Sequence, residues 1–241
     1  MNNKYFKELL EKFPENYYIG LGNPNSPILF ISKEAGEDIG KVSYHGTVKN
    51  WTENKYNYSQ KYIPENKKLL NLNHTWQRYQ KLYELILNKL DIELNKVDKY
   101  EINFVENVFT TELSHLPAKT TQEAKKQENF EIELVKRKKE FFKSNFIKNF
   151  QIVLIFANDN KYIETYPGEV CELFNVKYDG TFEYEGKDKI WIHSSNDDSK
   201  KKILIHTRQL TNSIGSELVN YLAEIVCEFV KKNKITIITN S

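Results

Sequence analysis

Side chains that can do chemistry follow four apolar runs of this sequence. They include carboxylates, amides, imidazoles and cations, which bind ligands and move protons in proteins. If the runs are strands of one parallel sheet, these groups converge on its carboxyl edge, where open α/β sheets bind ligands. The four groups are Lys33 with Glu34, the segment from Asn107 to His115, Asn158 with Asp159, and His206 with Arg208. Each group alone has a structural alternative, since a histidine can be a hydrogen-bonded strand residue and Asn and Asp commonly form turns.

Short apolar runs predict the strands that would position these groups. The run at 28–31, between Pro27 and a polar loop, suits a strand buried on both faces. Three later runs have the same character, and segments with helical spacing of apolar residues lie between them. The predicted strands lie within 28–31, 100–111, 151–157 and 202–205, and the predicted helices within 4–13, 75–90, 121–150, 161–174 and 214–232.

Alternation of strands and helices predicts one α/β domain over residues 1–241. The expected architecture is a three-layer α/β/α sandwich with a central, mainly parallel four-stranded sheet. Residues 1–26 would form an N-terminal helix and lead-in, and 182–184 with 189–193 a local strand pair. Residues 37–71 are polar and aromatic without a period, so we interpret them as an irregular loop insertion. Its aromatic residues either cover the core or stack on a ligand such as single-stranded nucleic acid.

Composition excludes some classes of protein. The net charge is +2, from 35 basic and 33 acidic residues, so charge alone does not indicate nucleic-acid binding. Cys171 and Cys227 form no CxxC pair, which argues against structural zinc or an iron–sulfur cluster and suits a reducing compartment. No apolar run approaches membrane-spanning length, and the N-terminus has no apolar signal core. We therefore expect a cytoplasmic monomer with no cofactor, no metal and no membrane partner.

Three of the four groups stand in stretches that resemble one known family. Ile28-Leu29-Phe30-Ile31-Ser32-Lys33-Glu34-Ala35-Gly36 resembles the first motif of the uracil-DNA glycosylase superfamily, an apolar strand leading into a Gly-Glu-Ala-Pro-Gly type loop. Phe104-Val105-Glu106-Asn107-Val108-Phe109 resembles its second strand, with an Asn before two apolar residues. Ile203-Leu204-Ile205-His206-Thr207-Arg208-Gln209-Leu210 resembles its final motif, a strand ending in His before a loop that enters DNA. The resemblance covers about residues 27–230 and implies a uracil-DNA-glycosylase-like fold.

This resemblance implies a role in N-glycosidic bond hydrolysis for three residues. Glu34 would stabilise the oxocarbenium-like sugar or position the attacking water. Asn107 would hydrogen-bond the edge of a flipped base, because its amide both donates and accepts. His206 would donate to the base oxygen as negative charge develops there. For Asn107, the alternative is a buried strand residue bonded to backbone.

The same resemblance implies contacts to DNA. Arg208 would contact a phosphate, and Leu210 would fill the gap left by the extruded base, unless Leu210 is an ordinary core residue. Phe109, or a tyrosine from segment 44–62, would stack on the base. The expected partner is therefore DNA or a nucleotide.

We therefore expect a divergent DNA glycosylase-like hydrolase that binds a flipped nucleobase and cleaves its N-glycosidic bond. Two alternatives remain open. One is a non-catalytic nucleic-acid-binding relative, favoured because the first motif lacks its proline and Thr207 follows His206. The other is an α/β enzyme acting on a small nucleotide, with residues 37–71 as its lid.

Overall fold

One mixed β-sheet organises the chain. The computed structural model describes residues 3–36, 46–54, 74–93, 102–164, 168–184, 188–211 and 216–237. Its seven strands are β1 (Leu21–Gly22), β2 (Ile28–Ser32), β3 (Phe109–Glu112), β4 (Ile152–Phe156), β5 (Val176–Tyr184), β6 (Asp188–Ser195) and β7 (Ile203–Thr207). They lie in the order β1-β3-β2-β4-β7-β6-β5.

The four strands at the centre of this sheet are parallel. These are β3, β2, β4 and β7, in that order across the sheet. Strand β1 pairs antiparallel with β3 on one side, and the β5–β6 hairpin pairs antiparallel with β7 on the other. The α/β class is therefore as predicted, whereas the sheet has seven strands and mixed direction instead of four.

Helices cover both faces of the sheet. They are α1 (Lys4–Lys12), α2 (Val48–Glu53), α3 (His74–Lys89), α4 (Thr121–Ala124), α5 (Phe130–Arg137), α6 (Asn145–Lys148), α7 (Glu169–Phe174) and α8 (Ser216–Asn233). Along β2, Leu29 and Ile31 belong to one core cluster, whereas Ile28 and Phe30 belong to the other, packed with α3 and α8. This alternation explains why the strand is a continuous apolar run. None of the helices in the described ranges is long and apolar enough to cross a membrane.

The second predicted strand is shorter and lies later than expected. Residues Phe104–Glu106 form a 3₁₀ turn, and β3 begins only at Phe109. The turn is held by Gln80 of α3, whose side-chain oxygen accepts from the backbone N–H groups of Asn103 and Phe104 at 2.9 and 3.0 Å. Asn107 therefore precedes β3 at the amino edge of the sheet.

The predicted helices at 121–150 and 161–174 are also divided. The first consists of α4, α5 with a π-helical turn at Lys138–Phe142, and α6, with the expected break before Phe130. A second break follows because Ser144 caps α6. Within 161–174 only Glu169–Phe174 is helical.

Part of the segment 37–71 forms a helix. Thr47 and Asn50 make a capping box that starts α2. Trp51 is fully buried, and its indole N–H donates to the carbonyl of Gly20 at 2.9 Å, so this aromatic residue covers the core. The tyrosines proposed for base stacking in 44–62 lie outside the described residues.

Candidate functional site

Two neighbouring loops fix Lys33 and Glu34 at the carboxyl edge of the sheet. The parallel pairing of β2 and β3 continues beyond both strands, because Ser114 N–H donates to the Lys33 carbonyl at 2.8 Å. Further on, Ala118 N–H donates to the Ala35 carbonyl at 3.0 Å. The loop predicted to carry chemistry is therefore held along most of its length by backbone hydrogen bonds.

Glu34 uses one oxygen for structure and leaves the other without a bond. Its Oε1 accepts from the Thr121 hydroxyl at 2.9 Å, and that hydroxyl accepts from Lys33 Nζ at 3.3 Å. Its Oε2 is buried, and no described residue hydrogen-bonds to it. This oxygen has no partner of ordinary hydrogen-bond geometry, although the Glu34 carboxyl interacts with the nearby Tyr162 hydroxyl.

Glu112, the last residue of β3, lies beside this loop. It pairs in register with Ser32, whose hydroxyl donates to Glu112 Oε2, and Glu112 is 8% exposed. Burial raises the pKa of the Glu112 carboxyl to about 8. The Ser32 hydrogen bond lowers this pKa, the charge of Glu34 raises it, and the charge of Arg137 lowers it. Glu112 is therefore protonated at neutral pH, next to a second carboxyl group.

Arg137 of α5 anchors the strand end that carries Glu112. This fully buried guanidinium donates to the carbonyl oxygens of Glu112 and Tyr18 at 2.9 and 2.8 Å, and to Thr111 Oγ1 at 2.9 Å. Its charged plane also lies 4.1 Å from the ring centre of Phe141. Because its three hydrogen bonds join Tyr18 to the last two residues of β3, Arg137 fixes the backbone beneath the site.

Two buried tyrosine hydroxyls face these carboxyl groups. Burial, followed by the charge of Glu112, raises the pKa of Tyr79. Burial, followed by the nearby Glu34, raises the pKa of Tyr162. Both hydroxyls therefore keep their protons and can donate. Around the Tyr162 ring, Lys33 and Lys125 place their ammonium groups 5.9 and 5.8 Å from its centre, and Lys125 forms an ion pair with Asp159.

Buried polar atoms without partners concentrate at this edge. Within the described part of the chain there are seven such atoms, and only His193 Nδ1 lies away from the edge, in the middle of the sheet. Buried polar groups are normally bonded, so a concentration of unbonded ones indicates a place for water or ligand. The other six are Tyr17 Oη, Glu34 Oε2, Tyr79 Oη, His115 Nδ1, Tyr162 Oη and His206 Nδ1.

His115, in the loop after β3, lies at the outer side of this edge. Its ring stacks on Tyr17 with 4.7 Å between centres, and its Nε2 lies 3.4 Å from Glu133 Oε2. Burial lowers the pKa of His115 to about 3, helped by the charges of Arg137 and Lys136. The ring is therefore neutral, with Nε2–H toward Glu133 and a free lone pair on Nδ1.

His206 lies at the same edge but cannot donate as expected. It is fully buried inside β7, and its Nε2 is hydrogen-bonded to the Ala157 carbonyl. A carbonyl only accepts, so the Nε2 atom carries the proton. Burial lowers the pKa of His206 to about 4, which leaves Nδ1 as a lone-pair acceptor. In this neutral tautomer the imidazole presents an acceptor, Nδ1, where the resemblance implied a donor to the base oxygen.

Asn107 is separated from the other predicted site residues. Its amide N–H donates to the Tyr83 hydroxyl at 2.6 Å, and its backbone carbonyl accepts from the Ser26 hydroxyl at 2.6 Å. Glu112 lies five residues further along, at the other end of β3, which is about 16 Å away at the usual strand rise. The structure therefore places Glu34 and His206 at the same edge of the sheet, on strands separated by β4, and Asn107 at the opposite edge.

Of the three remaining predicted residues, only Arg208 reaches the surface. Phe109 is fully buried and packs against Phe6 and Phe146, with 5.9 and 5.1 Å between ring centres. Leu210 is likewise fully buried, in the core cluster beneath α8. Neither can stack on a base or enter DNA in this arrangement. Arg208 pairs with Asp188 of the hairpin at 3.1 Å.

Sequence reasoning did not single out Glu112 or Tyr162, whereas the predicted strand pair at 182–184 and 189–193 is found as the β5–β6 hairpin. A glutamate closing a strand whose other residues are all buried was a usable signal, since a buried carboxyl is costly without a reason. Nothing in the sequence pairs Tyr162 with Glu34, because that proximity depends on the sheet order.

Metal binding has no support in the described ranges, where no three His, Cys, Asp or Glu side chains group as metal ligands would. In comparisons with known proteins, the chain matches no family model, no curated protein and no solved structure.

Proposed function

We propose that the carboxyl edge of the sheet hydrolyses the N-glycosidic bond of a nucleobase substrate, DNA or nucleotide. One observation carries the proposal: Glu34 lies beside Glu112, and burial keeps Glu112 protonated with a pKa of about 8. A buried carboxyl that keeps its proton can serve as the acid that glycosidic cleavage requires, and the neighbouring carboxyl of Glu34 can serve as the base.

Glu34 and Glu112 take complementary roles in this reaction. As the bond between sugar C1′ and the base nitrogen breaks, its electron pair goes to the base, and Glu112 supplies the proton that neutralises it. Glu34 faces the positively charged sugar and takes a proton from the attacking water as the water oxygen bonds to C1′. One water is consumed, free base and a sugar hemiacetal are formed, and the two carboxyl groups exchange protons with solvent.

The hydroxyl groups around the carboxyls support binding of a polar substrate. Tyr79 and Tyr162 both retain a proton, and their hydroxyls lie beside Ser32 and Glu34 respectively. They can donate to substrate oxygens or to the attacking water. These donors replace the hydrogen bonds that the resemblance assigned to Asn107.

The class of substrate rests on the resemblance of the β2 strand and its loop to the uracil-DNA glycosylase superfamily. We extend this to a divergent uracil-DNA-glycosylase-like fold, with Glu34 after the first parallel strand and His206 on the last. The Glu34 role implied by that family is compatible with its unbonded Oε2. The base-recognition role of Asn107 is not carried into this proposal.

Release of free base tests the proposal. The substrates are uracil-containing oligonucleotides, single- and double-stranded, together with uridine and deoxyuridine, and the product is measured by chromatography. We expect Glu34→Gln and Glu112→Gln each to lower the rate by about a hundredfold or more, as loss of acid–base catalysis does. Glu224→Gln is the matched control, because Glu224 lies on α8 in an ion pair with Lys89. No release by wild type, or release at the wild-type rate by both site variants, would contradict the proposal.

Non-catalytic nucleic-acid binding is the second candidate. It is favoured by the ammonium groups of Lys33 and Lys125, which flank the Tyr162 ring at the edge of the site. Binding of an oligonucleotide that weakens with salt, with no base released from it, would select this candidate over hydrolysis.

A further inference from the structure

Lys33 is a cation at the candidate site that the proposed hydrolysis does not use. Its side chain is half-buried, and its ammonium group lies 5.9 Å from the ring centre of Tyr162. Lys125, at 5.8 Å from the same ring, is paired with Asp159. Within the described part of the chain Lys33 Nζ has no such carboxylate partner, and its hydrogen bond goes to the Thr121 hydroxyl. The Lys33 amine is therefore not committed to an ion pair.

One hydroxyl group connects Lys33 to the carboxyl group of Glu34. Lys33 Nζ donates to Thr121 Oγ1 at 3.3 Å, and Thr121 Oγ1 donates to Glu34 Oε1 at 2.9 Å. Because a hydroxyl both donates and accepts, Thr121 can pass its proton to Glu34 while it takes one from Lys33. The amine then has a free lone pair, which is the form of lysine that attacks a carbonyl carbon. An amine, a bridging hydroxyl and a base within hydrogen-bond reach form an arrangement that activates a nucleophile.

The backbone holds all three members of this relay in place. The loop that carries Lys33 and Glu34 is bonded to the loop after β3 on both sides of Glu34, through the carbonyl groups of Lys33 and Ala35. Thr121 is the first residue of α4, and the side chain of Thr120 caps that helix. The relay is therefore built on fixed backbone, as a reactive group requires.

The product of the proposed hydrolysis is a carbonyl compound. The sugar hemiacetal that remains after base release opens to an aldehyde at C1′, and a lysine amine condenses with an aldehyde to form a Schiff base. We propose that Lys33 forms a Schiff base with the abasic sugar of DNA and that the site then cleaves the strand by β-elimination. This inference rests on the proposed function for the source of the abasic sugar, and it adds a lyase activity to the hydrolase.

The bonds and protons of this reaction balance. Lys33 passes one proton through Thr121 to Glu34, and its lone pair bonds to C1′. A second amine proton moves to the aldehyde oxygen, Glu34 returns the first, and the oxygen leaves as water, so that a protonated imine remains. Glu34 then takes a proton from C2′, the C2′–H electron pair forms the C2′–C3′ double bond, and the C3′–O bond breaks with its pair on the departing phosphate. Water hydrolyses the imine, which releases the unsaturated aldehyde and restores Lys33, and the proton on Glu34 passes to solvent.

Borohydride trapping on an oligonucleotide with an abasic site prepared beforehand tests the inference. Sodium borohydride reduces a Schiff base to a stable amine, so the protein becomes covalently attached to the DNA and the adduct is seen on a denaturing gel. We expect the wild type to form this adduct and, without borohydride, to cut the strand at the abasic site. Lys33→Met should abolish both. Lys89→Met is the matched control, because Lys89 is also half-buried and pairs with Glu224 of α8 at 3.0 Å.

Thr121 acts as a positioning residue in this reaction, and two variants test that role. Thr121→Val keeps the shape of the side chain but interrupts the proton transfer, so adduct formation should slow by about a hundredfold. Thr121→Ser keeps the hydroxyl and should restore the rate. Equal rates in Thr121→Val and wild type would overturn the relay.

No adduct in wild type, or equal adduct in Lys33→Met, would overturn the inference. Loss of the adduct in Lys125→Met alone would assign the nucleophile to Lys125 and overturn it as well, and an adduct without strand cleavage would overturn the lyase activity. The proposed hydrolysis fails separately, because the abasic site is supplied with the substrate. If the adduct forms while no base is released from uracil-containing DNA, the lyase stands and the hydrolase falls. If base release depends on Glu34 and Glu112 while no adduct forms, the hydrolase stands and the lyase falls.

Discussion

Replacement of Glu112 by glutamine should change how stability depends on pH. The folded-state pKa of Glu112 is raised from an ordinary 4.5 to about 8, chiefly by burial. Between these two values the folded protein holds a proton that the unfolded chain has released. Stability from this group is therefore fully present below pH 4.5 and is lost as pH rises toward 8.

The magnitude follows from the two pKa values. Each unit of pH within this window costs about 1.4 kcal/mol, so the interval from pH 5 to pH 7 costs the wild type about 2.5 kcal/mol. Glutamine does not titrate and has nearly the same shape, and its carbonyl oxygen can accept from Ser32. The difference in free energy of unfolding between Glu112→Gln and wild type should therefore change by about 2 to 3 kcal/mol in favour of the variant as the pH is raised from 5 to 7.

Urea unfolding of both proteins at pH 5, 6 and 7 measures this difference directly. Other titrating groups act equally on both proteins and cancel in the comparison. Glu34→Gln is a further comparison, because removing the charge of Glu34 should lower the pKa of Glu112. The pH range over which Glu112 reduces stability should then become narrower. A stability difference that stays constant from pH 5 to pH 7 would refute the assignment of Glu112 as a neutral buried acid.

Three further substitutions or measurements address the remaining parts of the structure. Arg137→Met should lower the free energy of unfolding by about 3 kcal/mol or more in urea titration, because it leaves three buried acceptors without a hydrogen-bond donor. A loss under 1 kcal/mol would contradict its anchoring role. Asn107→Ala should cost about 1 kcal/mol through the lost bond to Tyr83 and leave base release unchanged; a large loss of release would return Asn107 to the site. Nitrogen NMR of His206 should show a neutral ring protonated at Nε2 from pH 5 to 8, since its pKa is lowered to about 4; titration near pH 6.5 would contradict this tautomer.

The apolar runs were sufficient to predict the central strands and the α/β class. A strand buried on both faces has a local signature, so β2 and β4 lie where their sequences indicate. The loop carrying Glu34 followed from the same reasoning, because the end of a parallel strand fixes which edge the next residues occupy.

The misplacement of Asn107 has a tertiary cause. Its segment has enough apolar residues for a strand, yet the side chain of Gln80 binds two of its N–H groups and turns the backbone before β3 begins. Gln80 lies on α3, more than twenty residues away, so the local sequence carries no sign of this competition. Because β3 begins several residues later than the predicted strand, Asn107 lies at the amino edge of the sheet and not at the carboxyl edge.

The pairing of Glu34 with Glu112, and of His206 with Trp191, also depends on long-range order. Glu112 meets the Glu34 loop because β3 lies beside β2, and Trp191 meets His206 because β6 returns antiparallel along β7. Sequence spacing fixes neither neighbour relation, although Glu34, Glu112 and His206 each follow a predicted strand and Trp191 lies within one.

The pH dependence of single-turnover base release from a uracil-containing oligonucleotide tests the central claim most directly. With Glu112 as the acid, the wild-type rate should fall as pH rises through about 8, where that carboxyl loses its proton. In Glu112→Gln this falling limb should be absent and the rate at neutral pH much lower. Absence of released base at every pH, or an unchanged profile in Glu112→Gln, would contradict the account.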